Sequence, residues 1–486
     1  RDRNGLGLAL QSYQKRAFHV IDFIVDLAQK GGRRIMVRLI KGAYWDSEIK
    51  RSQMNGLKDY PVFTRKVFTD VSFQACAKKI LSHTQEIYPQ FATHNAYSVA
   101  MILELAGEYR DFEFQCLHGM GKELYEEIVP QDKYGIACRV YAPVGSHEDL
   151  LPYLVRRLLE NGANSSFVNR IVDDNMSIEK MVEDPIAQAK EFLPLINRNI
   201  PLPKDIFMPF RQNSAGIDWS CRSVLAKIQQ DLQRFQTQEW QASPMLALAQ
   251  QHSGEKVEIV SPFNTQHKVG EVTYATATEV ELAYDAAESA FLAWSSVNVD
   301  ERAKMLERFA DLLEEHTIEV LALATLEAGK TLLDGVAELR EAVDFCRYYA
   351  VEARRLMGSP QELQGYTGEL NQLSLHPRGI MVCISPWNFP LAIFTGQIVA
   401  SLVTGNCVIA KPAEQTSLMA AFAVKLMHQA GIPKAVIQLC PGRGEVLGQA
   451  LMQHPKLAGV IFTGSTQVAQ LLNQQLAART GPILPL

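Results

Sequence analysis

Short apolar runs separated by amphipathic stretches fill the first third of the chain. Leu6–Tyr13, Ile35–Ile40, Phe91–Thr93, Phe112–Leu117 and Cys138–Val144 read as strands, and helical spacing of apolar residues follows each. These five βα units predict a parallel sheet. Polar residues collect just past the strands, at Lys41, His94, Asn95, His118 and Tyr141, and in a barrel that rim carries the chemistry. Five strands cannot close an eight-stranded barrel, so about three more are expected ahead of Arg1.

The pattern changes twice further on. Pro194, Pro201, Pro203 and Pro209 break up the chain between residues 174 and 251, where the spacing predicts one helix over Val224–Trp240. After Ser261 and Pro262 an αβ pattern resumes, with helices predicted at Ala277–Trp294, Asp300–His316 and Thr317–Met357. A doubly wound, Rossmann-like section is expected from Gly379 onward. The fold class is therefore α/β: the last five βα units of a (β/α)8 barrel over 1–173, a connector over 174–251 and a nucleotide-binding section over 252–486. The start at Arg1, inside an apparent loop, and the end at Pro485 and Leu486 suggest a chain cut at both ends.

Composition narrows the functional classes. The 486 residues are 47% hydrophobic and 21% charged, with a net charge of −5, which suits a globular protein and gives no electrostatic reason to bind nucleic acid. No long apolar run or signal-like start occurs, so a cytoplasmic address is expected, with peripheral contact at the inner membrane left open. The eight cysteines form no CxxC pair and most lie in apolar segments, where a thiol behaves as a small hydrophobe. Neither a metal nor a disulfide framework is expected.

Candidate chemistry in the first section lies at two places. Arg38 to Trp45 puts Arg38, Lys41, Tyr44 and Trp45 at a strand's C-terminal end, with Gly42 allowing close backbone approach. An arginine there stabilises negative charge building on a reduced flavin, and the aromatics offer apolar faces. Arg156 and Arg157 lie on the helix after the last strand, where Glu160 at i+4 can orient Arg156 and the pair suits a small carboxylate. Ordinary rim charges and a solvated helix face are the plainer readings of the same residues.

Together with Gln11 to Arg16, Thr93 to Asn95 and Arg139 to Gly145, these motifs resemble the proline dehydrogenase family across residues 1–173. The resemblance implies FAD contacts from Gln11, Arg38, Gly42, Ala43, Tyr44, Trp45, His94 and Asn95, with Arg38 near flavin N5. It further implies that Arg156 and Arg157 bind the carboxylate of L-proline and that Leu117 and Tyr141 pack on its ring. The family's lysine and aspartate from earlier strands have no counterpart in these residues.

In the second section three strand ends carry chemistry. Asn388, in the run Ile384 to Leu391, can offer its amide to an oxyanion. Lys411 and Glu414 flank a proline turn and can hydrogen-bond a ribose, and Gly464 with Ser465 opens a helix suited to a pyrophosphate. Taken singly, each is as readily a plain turn. In this order, after Glu327, Gly329 and Lys330, they resemble the aldehyde dehydrogenase superfamily over residues 255–486. That implies NAD contacts from Ile384, Ser385, Trp387, Lys411, Glu414, Gly442, Gly464 and Ser465, with Asn388 as oxyanion donor. The superfamily's general-base glutamate and nucleophilic cysteine are expected beyond Leu486, so Cys383, Cys407 and Cys440 are not assigned that role.

The two resemblances in sequence imply proline oxidation to a cyclic imine at Arg38 and Tyr141, followed by oxidation of glutamate semialdehyde to glutamate. Small-molecule substrates and a homo-oligomer are expected for the complete protein. A DNA-binding segment upstream, as some relatives carry, stays open. The alternative is a non-catalytic scaffold or regulator derived from such an enzyme.

Overall fold

The computed structural model describes residues 5–162, 183–192, 197–248 and 251–486, the side chains of 156–162 aside. It divides into two compact units, Arg1–Met54 with Asp59–Pro203, and Asn55–Lys58 with Lys204–Leu486.

The first unit is built on β1 (Gly7–Gln11), β2 (Ile35–Ile40), β3 (Ile87–Ala92), β4 (Glu113–Leu117) and β5 (Cys138–Tyr141), all parallel and each paired with its successor. Around them run α1 (Ala17–Gly31), α2 (Trp45–Met54), α3 (Lys66–Leu81), α4 (Ala96–Ala106), α5 (Lys122–Glu126), α6 (His147–Gly162) and α7 (Pro185–Glu191). Side-chain alternation creates two different faces. Ile35, Val37 and Leu39 of β2, with Phe114 and Cys116 of β4, join a core with Ile21 and Ile24 of α1 and Phe73 and Ile80 of α3. The intervening positions, Arg38, Gln90, Glu113, Gln115, Leu117, Arg139 and Tyr141, share the opposite face.

The second unit contains α8 (Arg222–Gln233), β6 (Trp240–Ala242), β7 (Lys256–Ser261), β8 (Asn264–Thr273), α9 (Ala277–Ser295), α10 (Val299–Glu315), α11 (Thr317–Ala328) and α12 (Leu332–Met357). There follow β9 (Gln361–Leu363), β10 (Asn371–Leu373), β11 (Ile380–Ile384), α13 (Ala392–Val403), β12 (Cys407–Lys411), α14 (Ser417–Gln429), β13 (Ile437–Leu439), α15 (Gly444–Gln453), β14 (Leu457–Phe462) and α16 (Thr466–Ala477). Its parallel sheet has the order β13-β12-β11-β14, so the chain walks outward from β11 on one side and then returns to its other side at β14. That reversal opens a crevice at the carboxyl ends of β11 and β14, the usual ligand position in doubly wound sheets. Strands β6, β8 and β7 form a separate small sheet, and β9 with β10 an antiparallel hairpin.

Several predicted boundaries need correction. The third strand begins at Ile87 rather than Phe91, because Pro89 occupies a ladder position opposite Val37 that its missing N–H makes hard to read as strand. The first strand stops at Gln11 and the fifth at Tyr141, short of Tyr13 and Val144. The long helix predicted over Thr317–Met357 is two helices: Gly329 takes φ 65° and caps α11, and Thr331 accepts the Asp334 N–H to start α12. The helix predicted to Trp240 ends at Gln233, and Trp240 instead pairs with Gly270 as a strand. Among the described residues, no helix is long and apolar enough to cross a membrane.

Candidate active sites

On the polar face of the first sheet, Arg38 and Tyr141 come together although 103 positions separate them in sequence (141 less 38). The guanidinium carbon lies 4.4 Å from the Tyr141 ring centroid, a cation–π contact. Tyr141 stands beside Leu117 in the β4–β5 register. At the end of β1, the Gln11 side-chain oxygen accepts the Ala43 N–H at 3.3 Å, tying the loop after β2 to the neighbouring strand. Gly42 in that loop has φ 140°, and a Cβ there would stand 2.4 Å from Cγ of the buried Tyr13 ring. Only glycine meets both constraints.

The loop leaves Tyr44 and Trp45 partly exposed, while the Trp45 indole N–H donates to the Phe63 carbonyl at 2.7 Å. His94 Nε2 accepts the Leu117 N–H at 3.0 Å, which puts any ring proton of a neutral His94 on Nδ1. Asn95 caps α4 by accepting the Ser98 N–H at 3.0 Å, and so sits at a helix start beside His94. The side chains of Arg156 and Arg157 lie outside the described residues.

Two polar clusters escaped the sequence reading. Lys41 and Lys66 both pair with Asp70, at 2.5 and 2.7 Å. Burial lowers the Lys41 pKa against the pull of Asp70, whereas burial would raise Asp70 and the two ammonium groups outweigh it, holding it below its ordinary value. On the sheet face, buried Glu113 accepts both Nε and Nη2 of Arg139 at 2.8 Å and one N–H each from Gln90 and Gln115 at 2.8 Å. The alternation Glu113, Gln115, Leu117 was the available signal.

These residues fit a flavin on one specific ground. Among the described residues Arg38 Nε is buried without a hydrogen-bond partner, so a charged donor is left for an acceptor of the kind a flavin ring can supply. With Tyr44 and Trp45 as apolar walls, Gln11, Arg38, Gly42, Ala43, His94 and Asn95 occupy adjacent strand ends of one sheet.

In the second unit the register sets Ile384 beside both Lys411 and Phe462, so the turns after β11, β12 and β14 share one edge. Gln397 donates to the Ile384 carbonyl at 3.1 Å and to Thr463 Oγ1 at 3.0 Å, tying the two strand ends at the crevice. Ser385 donates its N–H to the Lys411 carbonyl at 3.3 Å, and Trp387 and Asn388 are exposed beyond it. Lys411, only 6% exposed, donates to its neighbour's carbonyl at Pro412 and to Glu414, at 3.1 and 3.0 Å. Glu414 also accepts the Gly444 N–H at 2.9 Å, just past Gly442. Burial raises its carboxyl and Lys411 outweighs that, leaving it below the usual range.

The donor set fits a dinucleotide. An ammonium has three N–H groups, and Lys411 uses two of them within the chain, leaving one for a ribose hydroxyl. At the third turn, Gly464 lies against the Phe462 ring, where a Cβ would come within 2.5 Å, and Ser465 starts α16 by accepting the Val468 N–H at 3.3 Å. By contrast, Cys383, Cys407 and Cys440 are buried, and burial pushes each thiol up to about 12. Thiols so buried are inert at neutral pH.

Two glutamates close helix starts in this unit, a role the sequence did not assign to either. Glu327 accepts the N–H groups of Leu418 and Met419 at the start of α14, at 2.7 and 2.8 Å. Glu338 does the same for Leu391 and Ala392 at the start of α13, at 3.1 and 2.9 Å. A buried glutamate inside a helix carries no periodicity signal that could have revealed it.

The chain thus joins two α/β units, one whose rim suits a flavin and one whose rim suits a dinucleotide. Residues 1–170 match the family described as proline dehydrogenase, and residues 249–484 the aldehyde dehydrogenase family. The chain is 49% identical over 491 residues to the bifunctional protein PutA of Klebsiella aerogenes, covering 99% of this chain and 36% of that one. The PutA of Rhizobium meliloti is 47% identical over 488 residues, with 99% and 38% covered. A crystal structure of proline utilization A from Bdellovibrio bacteriovorus, inactivated by N-propargylglycine, superposes with TM-score 0.86 at 32% identity, covering 99% of this chain and 50% of that one. The chain belongs to the PutA-type family of bifunctional proteins, and it spans about a third of the length of the curated relatives it matches.

Proposed function

We propose that this chain contributes to a bifunctional oxidoreductase that converts L-proline to glutamate in two steps, the first at the barrel unit and the second at the doubly wound unit. When bound, FAD and NAD would each accept a hydride. The observation that carries the reading is the Arg38–Tyr141 contact at the rim of a parallel sheet, with Arg38 Nε buried and unpartnered among the described residues.

In the first unit Arg38 would supply a fixed positive charge to a reduced flavin, an electrostatic contribution made without reorganisation. Leu117 and Tyr141 would pack on the proline ring, and Arg156 and Arg157 would hold its carboxylate. Gln11, Gly42, Ala43, Tyr44, Trp45, His94 and Asn95 would contact FAD. In the second unit Asn388 would donate its amide N–H to the aldehyde oxygen of glutamate semialdehyde. Ile384, Ser385, Trp387, Lys411, Glu414, Gly442, Gly464 and Ser465 would hold NAD. A cytoplasmic address and a homo-oligomeric state for the whole protein belong to the same reading.

The test is ligand binding by the purified chain. Flavin that co-purifies and bleaches on adding L-proline, together with saturable NAD binding in calorimetry, supports the proposal. A folded chain that takes up neither FAD nor NAD would sink it.

A further inference from the structure

We propose that Lys330 and Glu338 act as one positioning unit that fixes the loop carrying Asn388. The inference rests on the nicotinamide-site reading above and deepens it.

The Ser385–Leu391 loop is held at both ends by groups distant in sequence. At its start the sheet holds it, through Ser385 N–H to the Lys411 carbonyl and Gln397 to the Ile384 carbonyl. At its end Glu338 Oε2 accepts the N–H groups of both Leu391 and Ala392. Glu338 is 1% exposed and lies on α12. Its other oxygen, Oε1, stands 2.8 Å from Lys330 Nζ, an ion pair rather than a well-directed hydrogen bond. The same ammonium lies 4.5 Å from the centroid of the Phe389 ring, one residue past Asn388. One lysine therefore links the buried cap to the exposed part of the loop.

Lys330 is itself well placed to serve as a fixed point. It follows Gly329, whose φ of 65° closes α11, and its own N–H donates to the Ala324 carbonyl at 3.2 Å. A Cβ at Gly329 would come within 2.9 Å of Pro262 Cγ, so the turn is packed as well as capped.

Comparison with Glu327 shows what the lysine adds. Glu327 caps α14 through two N–H groups of the same kind, without an ion pair among the described residues. A buried glutamate can thus close a helix start in this unit without a cation. At Glu338 the cation is present, and it also touches the aromatic residue beside the candidate oxyanion donor. Removing either member of a buried pair strands the other's charge, so both should fail together.

Hydrogen–deuterium exchange on the full chain, paired with NAD titration by calorimetry, tests this. Lys330→Met and Glu338→Gln should each speed exchange over 387–392 by about tenfold, and the double variant should do no worse than either alone. Lys330→Arg should restore protection to within about threefold, since it keeps both the charge and the cation–π contact. NAD affinity should fall roughly fivefold in Lys330→Met, and its melting temperature should fall as well, because the buried Glu338 carboxylate loses its cation. A folded Lys330→Met variant whose loop exchanges at the wild-type rate overturns the proposal, and Lys330→Met decides it even if Glu338→Gln fails to fold. Absence of NAD binding by the wild-type chain overturns the nicotinamide reading instead, while exchange still decides the clamp.

Discussion

Arg38 and Tyr141 sit on strands separated by two others, yet the guanidinium rests 4.4 Å from the phenol ring centroid. The ring gives the cation a face to lie on, and Nε stays buried, without a hydrogen-bond partner among the described residues. Such a contact is worth about 0.5–2 kcal/mol, depending on how dry it is. Tyr141→Phe keeps the face and should hold FAD affinity within about twofold of wild type. Tyr141→Ala releases Arg38 and should weaken FAD binding by about tenfold, equivalent to about 1.4 kcal/mol. Flavin fluorescence titration of the three proteins distinguishes them, and equal affinities would separate Arg38 from flavin binding.

What sequence could and could not reveal follows from the range of the interactions. Strand β2 was legible because its apolar residues alternate locally, and its predicted bounds, Ile35–Ile40, match those of the structure. The order of rim residues along β11, β12 and β14 was legible for the same reason, since each strand ends in a turn of recognisable composition. Trp240 was not, because its strand exists only by pairing with Gly270, thirty positions downstream (270 less 240). Thr331 is a good helix-start residue, yet the apolar periodicity on both sides of Gly329 concealed the break. The contacts Arg38–Tyr141 and Lys330–Glu338–Phe389 depend on tertiary approach and have no local signature.

Glu113 anchors the polar face of the first sheet, and its contribution should depend on pH. Burial alone would raise its carboxyl, but hydrogen bonds from Arg139, Gln115 and Gln90 and the charge of Arg139 hold it below its ordinary value. A depressed folded-state pKa gives stability that is present above the unfolded value of about 4.3 and is lost as pH falls through the folded value. Wild type should therefore lose stability on acidification below that range, and Glu113→Gln should lose less. Glu113→Ala, which removes Gln115's acceptor and leaves Gln90 only Met36 Sδ, should cost about 2–4 kcal/mol at neutral pH in urea unfolding. A cost below about 0.5 kcal/mol would show that the cluster is not a stabilising element.

Glu327 should act in the opposite sense. Burial pushes its carboxyl up to about 8, against the two backbone N–H donors of Leu418 and Met419 that favour the charged form. A carboxyl raised above its unfolded value binds a proton when folded that it has lost when unfolded. Its stabilising contribution is then complete below about pH 4.5 and declines as pH rises towards 8. Glu327→Gln stays neutral and keeps an oxygen for the helix start. Between about pH 5 and pH 8 its melting temperature should fall less than that of wild type, by a margin on the order of 5 °C. Parallel melting curves for the two proteins would contradict a raised carboxyl.

Cys221 is the thiol that should react first. It is the N-cap residue of α8, partly exposed, with its sulfur 3.2 Å from Ser223 Oγ. The Ser223 hydroxyl and the Val224 N–H at the helix start stabilise the thiolate and pull its pKa below the ordinary thiol value. Cys383, Cys407 and Cys440 are buried, with their thiols pushed up to about 12. Since the thiolate is the nucleophile, iodoacetamide near neutral pH should label Cys221 roughly a hundredfold faster than these three. Peptide mapping after brief labelling measures the ratio, and Cys221→Ser should remove the fast phase. Early labelling of Cys383 or Cys440 would mean that the core of the second unit opens more readily than its burial implies.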